Sequence, residues 1–267
     1  MFGRQFGRDL RAEISALHEQ GVSVAYICHG TDIRNPRAHA ARTEWSPFPE
    51  DPRTENLQSD AEKNLRLLEE TRLPTFVSTP DLIEDVPWAT WCPVIVDTER
   101  FHTESSLFTS SIPNVIHVSS SSVQKGSDLL DQSLVSLRSR GLIHYELVTG
   151  ASSADMPGIY ADADIVLDQF RLGSYGVAAC EAMAAGRLVI GHVLPSVREH
   201  VRSTHGLELP IIEATPDTLS AVLEELIGEP GRVTRLAAAG PAFVQAVHDG
   251  TASAQALLHG WIRETPG

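Results

Sequence analysis

The sequence predicts an α/β protein whose parallel strands alternate with helices. Three stretches support this prediction. Residues 162–193 form a strand, a glycine-rich loop, an apolar helix and a second strand, and residues 114–137 form a strand, a serine-rich loop and a helix. Residues 22–30 pass from an apolar strand directly into a polar loop. Short apolar runs that alternate with helices are typical of parallel sheets covered by helices on both faces.

The composition is that of an ordinary globular protein: of 267 residues, 42% are hydrophobic and 21% are charged. The formal net charge of −14 argues against nonspecific binding to nucleic acid or to anionic lipid. Cys28, Cys92 and Cys180 lie far apart in apolar runs, which favours buried thiols over disulfides or a metal site. No apolar run reaches the ~18 residues of a membrane span and the N-terminus lacks a signal-peptide core, so we expect a cytoplasmic protein.

The first third of the chain alternates helices and strands. A helix is expected over residues 9–20, where apolar residues recur at helical spacing, and a strand follows over 22–28. Residues 35–54 are rich in Pro, Arg and His and show no periodicity, which predicts an ordered surface loop. A helix over 57–71 and a short strand over 75–78 come next.

Three polar residues follow the first strand closely: His29, Asp32 and Arg34. Functional residues collect at the carboxyl ends of strands in open α/β sheets, so these three are candidates for a substrate site. Two simpler interpretations remain. His29 could be a loop histidine bonded to the backbone, and Asp32 and Arg34 could form an ion pair that stabilises the turn.

The second half begins, after a linker over 101–113, with a strand over 114–119. The loop after this strand carries Ser120, Lys125 and Gly126 just before a helix. A lysine at a helix start is a plausible ligand of a diphosphate, and serine hydroxyls can hold phosphate oxygens. Alternatively, Lys125 is an ordinary solvent-facing lysine.

The loop before the apolar helix, which is expected over about 175–185, leaves backbone N–H groups free at a helix start, where phosphate groups bind. The candidate ligands in this loop are Gly173, Ser174, Tyr175, Gly176 and Val177. Glu181 is a lone carboxylate in the apolar helix and needs a partner if it is buried. It lies about 9 Å further along the helix axis, at ~1.5 Å per residue, which suits a ribose whose diphosphate sits on the first turn. The stretch therefore predicts a cradle for a nucleoside diphosphate.

The string YGVAACEAMAAGRLVIG resembles the donor-binding motif of retaining GT-B glycosyltransferases of the family 4 type. In that family two glutamates flank seven residues. Glu181 corresponds to the second glutamate, which binds the ribose, and the first falls on Gly173. The residues that match a subgroup with the pattern DQ…G.YG…EAMA are Asp168, Gln169, Gly173, Tyr175 and Gly176. The family's usual arginine ahead of the lysine corresponds to Ser120.

The resemblance implies a GT-B architecture with an incomplete N-terminal Rossmann-like domain over residues 1–100 and a complete C-terminal, donor-binding one over 114–250. It also implies that a C-terminal helix within 251–267 packs back toward the N-terminal domain. Too few strands precede the linker for a full first domain. We therefore expect a fragment or a shortened protein whose exposed sheet edge favours self-association.

For function, the resemblance implies transfer of a hexose from a UDP-type or GDP-type sugar to a hydroxyl acceptor, with retention and without a cofactor or a required metal. The acceptor could be a glycan, a lipid or a small molecule. His29 would face the donor sugar, with Asp32 and Arg34 on the acceptor side. One alternative is a non-catalytic nucleotide-sugar-binding module or degenerate subunit, which the departures at Ser120 and Gly173 favour. The other is a GT-B epimerase or phosphorylase, for which we see fewer of the expected cleft residues.

Overall fold

The computed structural model describes residues 9–119 and 125–262. In this part of the chain, eight strands form two sheets. The strands are β1 (Tyr26–Cys28), β2 (Thr75–Val77), β3 (Thr90–Trp91), β4 (Asn114–Val118), β5 (His144–Val148), β6 (Ile165–Leu167), β7 (Leu188–Gly191) and β8 (Ile211–Glu213). The first sheet has the order β1-β2-β3 and the second the order β5-β4-β6-β7-β8. All neighbouring strands are parallel, which confirms the predicted α/β class.

Helices connect these strands. In the described part of the chain they are α1 (Leu10–Glu19), α2 (Pro36–Arg42), α3 (Thr54–Thr71), α4 (Thr98–Phe101), α5 (Ser127–Ser139), α6 (Met156–Asp162), α7 (Val177–Ala184), α8 (Pro195–His205), α9 (Leu219–Ile227), α10 (Pro230–Ala237), α11 (Ala239–Val247) and α12 (Thr251–Leu257). A 3₁₀ turn covers Pro80–Glu84 and a π-helical turn covers Leu258–Ile262. None of these described helices has the length and apolar character needed to cross a membrane. The three cysteines are buried and unpaired, which confirms the prediction of buried thiols.

Helix α2 lies in a stretch that was expected to be irregular. The side-chain oxygen of Asn35 accepts a hydrogen bond from the N–H of Ala38 at 3.0 Å, and Pro36 takes the first helical position. Both features are typical of helix starts. The expectation of a loop throughout 35–54 is wrong because α2 buries Pro36 and His39 instead of an apolar stripe, so hydrophobic periodicity gave no signal.

The central strands β4, β6 and β7 of the second sheet are buried on both faces, to which their successive side chains point in turn. Val166 and Val189 point to the side covered by α6 and α7. Ile165, Leu188 and Ile190 point to the side covered by α5, α9 and α10. This alternation explains the short apolar runs of β6 and β7 that were visible in the sequence, whereas the edge strand β5 carries the exposed polar residues His144 and Glu146.

The two sheets share one apolar cluster, which contains Val77 from β2 and Val189 from β7. The N-terminal unit (residues 9–101) and the C-terminal unit (residues 114–250) therefore pack directly against each other. Strand β1 forms an edge of its sheet, and the side chain of Ile27 is 46% exposed there. Self-association through this edge stays a prediction.

The end of the chain lies against the N-terminal unit. The hydroxyl of Ser253 in α12 donates to the carbonyl oxygen of Pro93 at 2.6 Å. The indole N–H of Trp261 donates to the hydroxyl of Ser23 at 2.6 Å. Ser23 precedes β1 and Pro93 follows β3, so the C-terminal segment binds the chain both before and after the first sheet.

The packing of α11 on α7 depends on a glycine. A Cβ on Gly240 would lie 2.8 Å from the carbonyl oxygen of Met183, so the two helices approach closely there. We expect Gly240→Ala to lower the free energy of unfolding by about 1 to 3 kcal/mol, because the added methyl group overpacks this contact. Urea unfolding of the variant and of the unchanged protein measures the difference.

The matched control is Gly158→Ala in α6, where a Cβ would meet no atom within 4 Å. This variant should leave the free energy of unfolding unchanged or raise it by up to about 1 kcal/mol, because alanine favours helices over glycine. Equal stability of the two variants would contradict the close contact between α7 and α11.

Candidate functional site

His29 and Asp32 lie at the carboxyl end of β1. The Asp32 carboxylate accepts hydrogen bonds from the backbone N–H groups of His29 at 3.0 Å and of Gly30 at 2.7 Å, so it shapes the turn. The imidazole of His29 is exposed and makes no hydrogen bond within the described residues. Within the described residues, the interpretation of His29 as a loop histidine bonded to the backbone is therefore not supported, and its role in a site stays a prediction.

Arg34 forms a buried ion pair with Asp81, which lies in the 3₁₀ turn after β2. Its Nε and Nη2 atoms are 3.1 and 2.5 Å from Asp81 Oδ2, and both side chains are only 6% exposed. The interpretation of Arg34 as the partner of Asp32 is therefore wrong. Burial raises the pKa of the Asp81 carboxyl, but the charge and hydrogen bonds of Arg34 outweigh burial and lower it below its ordinary value. Asp81 is ionised at neutral pH.

A second buried carboxylate belongs to Asp168, the first residue after β6 and the first of the glycine loop (residues 168–176). One of its oxygens lies 3.2 Å from Lys125 Nζ, and the other accepts a hydrogen bond from the N–H of Gly176 at 3.3 Å. Asp168 is 2% exposed. A single carboxylate thus joins the lysine ahead of α5 to the first turn of α7.

Lys125 does not face solvent, so that alternative is wrong. Its side chain is 16% exposed, and Nζ donates to the carbonyl oxygen of Val118 at 2.9 Å as well as to Asp168. The ammonium group is therefore held between the ends of β4 and β6. A fixed cation at this place can meet an anion that lies along the strand ends.

Gly126 begins α5 and has to be a glycine. Its φ of +77° is in the left-handed region, and a Cβ would lie 3.2 Å from Cγ of Arg171. Nη2 of Arg171 lies 3.2 Å from Oδ2 of Asp128 in α5 and 3.1 Å from Oε2 of Glu50 in the N-terminal unit. Arg171 therefore ties the glycine loop to both units of the protein.

Glu181 in α7 is partly buried, and its carboxylate has a hydrogen-bond partner, as a buried carboxylate needs. The hydroxyl of Tyr160 donates to Oε2 of Glu181 at 3.2 Å. Burial raises the pKa of the Glu181 carboxyl, while the Tyr160 bond and the charges of Arg100 and Lys125 lower it in part. No described residue donates a hydrogen bond to Oε1 of Glu181, so this oxygen can accept one from a ligand.

The middle of the glycine loop is buried. Gly173 has a φ of +66°, and a Cβ there would come within 2.5 Å of the Leu194 side chain. The two residues that follow Gly173 are each 2% exposed. Only Gly176 and Val177 reach the surface at the start of α7. A carboxylate at position 173 is thus excluded by the backbone conformation and by Leu194 together.

An open pocket of about 510 Å³ lies at the ends of β4 and β5. Its lining residues are Val118, Ser119, Val148, Thr149, Gly150, Ala151 and Met156. The pocket adjoins Lys125, which donates to the carbonyl of Val118. Arg100 from α4 reaches the loop beyond β5, where its Nη2 donates to the backbone carbonyl and the hydroxyl of Ser153. Both cations therefore bind chain segments next to the pocket, although neither side chain lines it.

Two buried imidazoles hold the glycine loop. Nε2 of His39 in α2 donates to the carbonyl oxygen of Leu172 at 3.2 Å. Nδ1 of His248 donates to the carbonyl oxygen of Val94 at 2.8 Å, so its Nε2 accepts the hydroxyl of Tyr175 at 3.2 Å. Because a carbonyl oxygen can only accept, these contacts fix which nitrogen carries the proton in each neutral ring.

A third imidazole, that of His117, supports the strand that leads into the loop. Its Nδ1 donates to the carbonyl oxygen of Leu167 at 2.8 Å, and its Nε2 accepts the hydroxyl of Ser127 at 3.0 Å. Burial lowers the pKa of His39, His117 and His248 to about 4 in each case. All three rings are therefore neutral supports at neutral pH.

The fold has clear relatives among solved structures. HepE from Anabaena, in complex with UDP and glucose, superposes with a TM-score of 0.61 at 14% identity over 94% of this chain and 74% of HepE. The sucrose-phosphate synthase of Thermosynechococcus elongatus gives 0.62 at 14% identity, over 94% and 70% of the two chains. A glycosyltransferase from Rickettsia africae gives 0.58 at 12% identity, over 93% and 79%.

The chain has the GT-B fold. This confirms the predicted architecture. Comparison of the sequence with protein-family models gives no match. Comparison with curated protein sequences gives none either. The GT-B assignment therefore rests on the arrangement of the two parallel sheets and on these structural neighbours.

In this GT-B fold, the structure brings part of the predicted site together. Lys125 and Gly176 both bind Asp168 at the carboxyl end of β6, and Lys125 is near enough to Glu181 to lower the pKa of its carboxyl. Ser120 lies outside the described residues. The donor-binding and acceptor-side roles of the residues named from the sequence stay predictions. Within residues 9–119 and 125–262, no three His, Cys, Asp or Glu side chains are grouped so that they could hold a metal ion.

From the sequence, we did not select two residues that the structure places near the site, Asp81 and Tyr160. Asp81 directly follows the carboxyl end of β2 within STPDL, so the rule that selected His29 would also have selected it. Tyr160 has a weaker signal. It is a tyrosine on the short helix before β6, and a buried hydroxyl needs a partner, but 21 residues of sequence separate it from Glu181.

The three neutral imidazoles predict a pH-dependent stability. Each has a folded-state pKa of about 4, against about 6.5 in an unfolded chain. The unfolded state binds more protons between these values, so stability is lost as the pH falls from about 6.5 toward 4. We expect each histidine to remove about 2 kcal/mol from the free energy of unfolding between pH 7 and pH 5. Urea unfolding at pH 7, 6 and 5 measures this loss.

A pair of variants assigns the loss to buried rings. His117→Gln should reduce the decline by about one third, whereas His144→Gln, at an exposed position, should leave it unchanged. A stability that stays constant from pH 7 to pH 5 would show that the imidazoles are not held neutral.

Proposed function

We propose that this chain is a glycosyltransferase that moves a hexose from a nucleoside diphosphate sugar to a hydroxyl acceptor with retention. The observation that carries the proposal is the geometry around Asp168 in a GT-B fold. A fixed lysine and the start of α7 meet at one place, and Glu181 follows within α7 with one free oxygen. This arrangement suits a diphosphate that is joined to a ribose.

The diphosphate would lie at the start of α7. The first N–H groups of a helix have no partner within the helix, and they carry the positive end of the helix dipole. Gly176 gives its N–H to Asp168, which leaves the N–H groups from Val177 onward for phosphate oxygens. Lys125 would supply the positive charge, because an ammonium group has three protons and only two are used by Val118 and Asp168.

The nucleoside would extend from the diphosphate toward β5. The ribose hydroxyls would donate to the free oxygen of Glu181, and the base would occupy the pocket at the ends of β4 and β5. That pocket offers the backbone of Thr149, Gly150 and Ala151 and the apolar side chain of Met156. A flat base can pack on the Met156 side chain and form hydrogen bonds with the backbone, so this pocket suits both UDP-type and GDP-type donors.

The reaction would be assisted by charge and position rather than by a protein nucleophile. The departing diphosphate gains negative charge in the transition state, and Lys125 and the dipole of α7 would stabilise it. No cofactor or metal is part of the proposal. His29 would face the sugar from the end of β1, and Asp32 and Arg34 would border the acceptor hydroxyl. A glycan, a lipid or a small molecule could supply that hydroxyl.

One observation favours a second candidate, a non-catalytic module that binds nucleotide sugars. The carboxylate of Asp168 already balances the charge of Lys125, and Gly173 offers no carboxylate to the sugar. The first feature lowers the charge that Lys125 offers to a diphosphate, and the second leaves the donor sugar without a carboxylate, so transfer would be weak even where the nucleotide binds. The two candidates differ in turnover: release of UDP or GDP from the sugar nucleotide in the presence of acceptors supports the enzyme.

The ribose contact is tested by calorimetric titration of the chain with UDP and GDP. We expect Glu181→Gln to weaken binding of the preferred nucleotide about tenfold and Glu181→Ala about tenfold to a hundredfold, because hydrogen bonds to a charged group contribute about 1.5 to 3 kcal/mol. Glutamine can still accept the Tyr160 bond, so its effect isolates the charge of Glu181.

The control for the cation uses the only two lysines of the chain. Lys125→Met should abolish measurable nucleotide binding, whereas Lys63→Met, at an exposed position of α3, should leave the affinity unchanged. The melting temperature of Lys125→Met must be measured in parallel, because that variant leaves the buried Asp168 without its cation. Unchanged affinity in both Glu181 variants would remove the ribose assignment.

The role of His29 is tested by separating binding from transfer. His29→Ala should leave the nucleotide affinity within about twofold, since the residue lies on the other unit, and should slow sugar transfer or donor hydrolysis at least about tenfold. Initial rates with UDP-glucose and GDP-mannose as trial donors measure this effect. Equal rates for the variant and the unchanged protein would exclude His29 from the site.

A further inference from the structure

Three buried polar atoms of the 3₁₀ turn region and the glycine loop have no hydrogen-bond partner among the described residues. They are Thr79 Oγ1, Asp81 Oδ1 and Ser174 Oγ. The hydroxyls of Thr79 and Ser174 lie close enough to Asp81 to lower the pKa of its carboxyl, yet neither reaches hydrogen-bond geometry. Buried polar atoms are nearly always paired, so this group calls for a physical reason.

Asp81 has one oxygen in use and one free. Arg34 binds Oδ2 through both Nε and Nη2, which fixes the plane of the carboxylate and leaves Oδ1 directed away from the guanidinium. The ion pair is almost fully buried. A charged oxygen without a donor in such a place is unfavourable, and a nearby hydroxyl that moved slightly would relieve it.

Ser174 is the residue whose hydroxyl can do so. The positions on either side of it are already fixed: His39 binds the carbonyl of Leu172, and His248 binds the hydroxyl of Tyr175. Ser174 lies between these two contacts, and α7 begins three residues further along the chain, at Val177. A small movement at Ser174 therefore moves the N–H groups at the start of that helix.

We propose that Asp81 is a positioning residue for the phosphate cradle, which accepts a hydrogen bond from Ser174 when nucleotide binds to the start of α7. The contact would couple the packing of the N-terminal unit on the glycine loop to the orientation of the helix N–H groups. Arg34 would hold Asp81 in place for this bond. The inference rests on the proposed function, since it assigns a supporting contact to the same nucleotide site.

The test is Ser174→Ala, studied by calorimetric titration with UDP and GDP and by thermal unfolding without nucleotide. Without nucleotide, the variant loses a buried hydroxyl that makes no hydrogen bond and stabilises the Asp81 carboxylate only weakly, so its melting temperature should fall by no more than about 2 °C. With nucleotide, it loses the proposed bond, so its affinity should fall about tenfold. A purely structural role of Ser174 would lower the melting temperature further than this, together with the affinity, and would overturn the proposal.

Thr79→Val is the matched control, because it removes the other unpaired hydroxyl near Asp81 from the N-terminal unit and keeps the side-chain shape. It should leave nucleotide affinity within about twofold. In an Asp81→Asn background, Ser174→Ala should have no further effect on affinity, because the bond is then already altered. A full additional tenfold loss in that background would also overturn the proposal.

The titrations distinguish a failure of the positioning role of Asp81 from a failure of the proposed function. If the unchanged chain binds UDP or GDP and Ser174→Ala binds it equally well, the positioning role fails and the proposed function stands. If the unchanged chain binds neither nucleotide, the proposed function fails and the positioning role fails with it.

Discussion

The buried carboxylate of Asp168 is the interaction on which the candidate site depends. It binds the ammonium group of Lys125 with one oxygen and the N–H of Gly176 with the other. Removing either partner would leave a buried anion poorly compensated, so α5 and α7 are held at a fixed separation. The same contact reduces the net charge that Lys125 offers to a ligand. The Asp168 carboxylate thus makes the cradle more rigid and at the same time weakens its attraction for an anion.

The supports around the glycine loop add little net charge. His39, His117 and His248 are neutral rings that donate to carbonyl oxygens, and their burial keeps them neutral. The cations near the loop, Lys125, Arg34 and Arg171, are each paired with carboxylates. The field at the start of α7 is therefore governed largely by the helix dipole and its free N–H groups. Such a site favours a ligand that can bond to several backbone donors at once, as a diphosphate can.

The sequence predicted what depends on local pattern and missed what depends on contacts between distant segments. The apolar composition around Glu181 indicated a buried helix, and the short apolar runs indicated parallel strands; the structure contains both. Helix α2 gave no signal because it buries His39 through hydrogen bonds rather than through an apolar stripe. The burial of the glycine loop could not be foreseen either. It follows from contacts with His39 and Asp81, which are more than ninety residues away in the sequence.

The glycine at position 173 belongs to this same burial. Its left-handed backbone turns the loop toward the N-terminal unit, and Leu194 fills the space that a side chain at 173 would need. A glutamate there would require both the backbone and Leu194 to move, which would draw Ser174 away from Asp81. The glycine at position 173 and the packing of the loop against the N-terminal unit therefore depend on each other. Glu at position 173 would therefore also need a smaller residue at position 194 and a different backbone conformation of the loop.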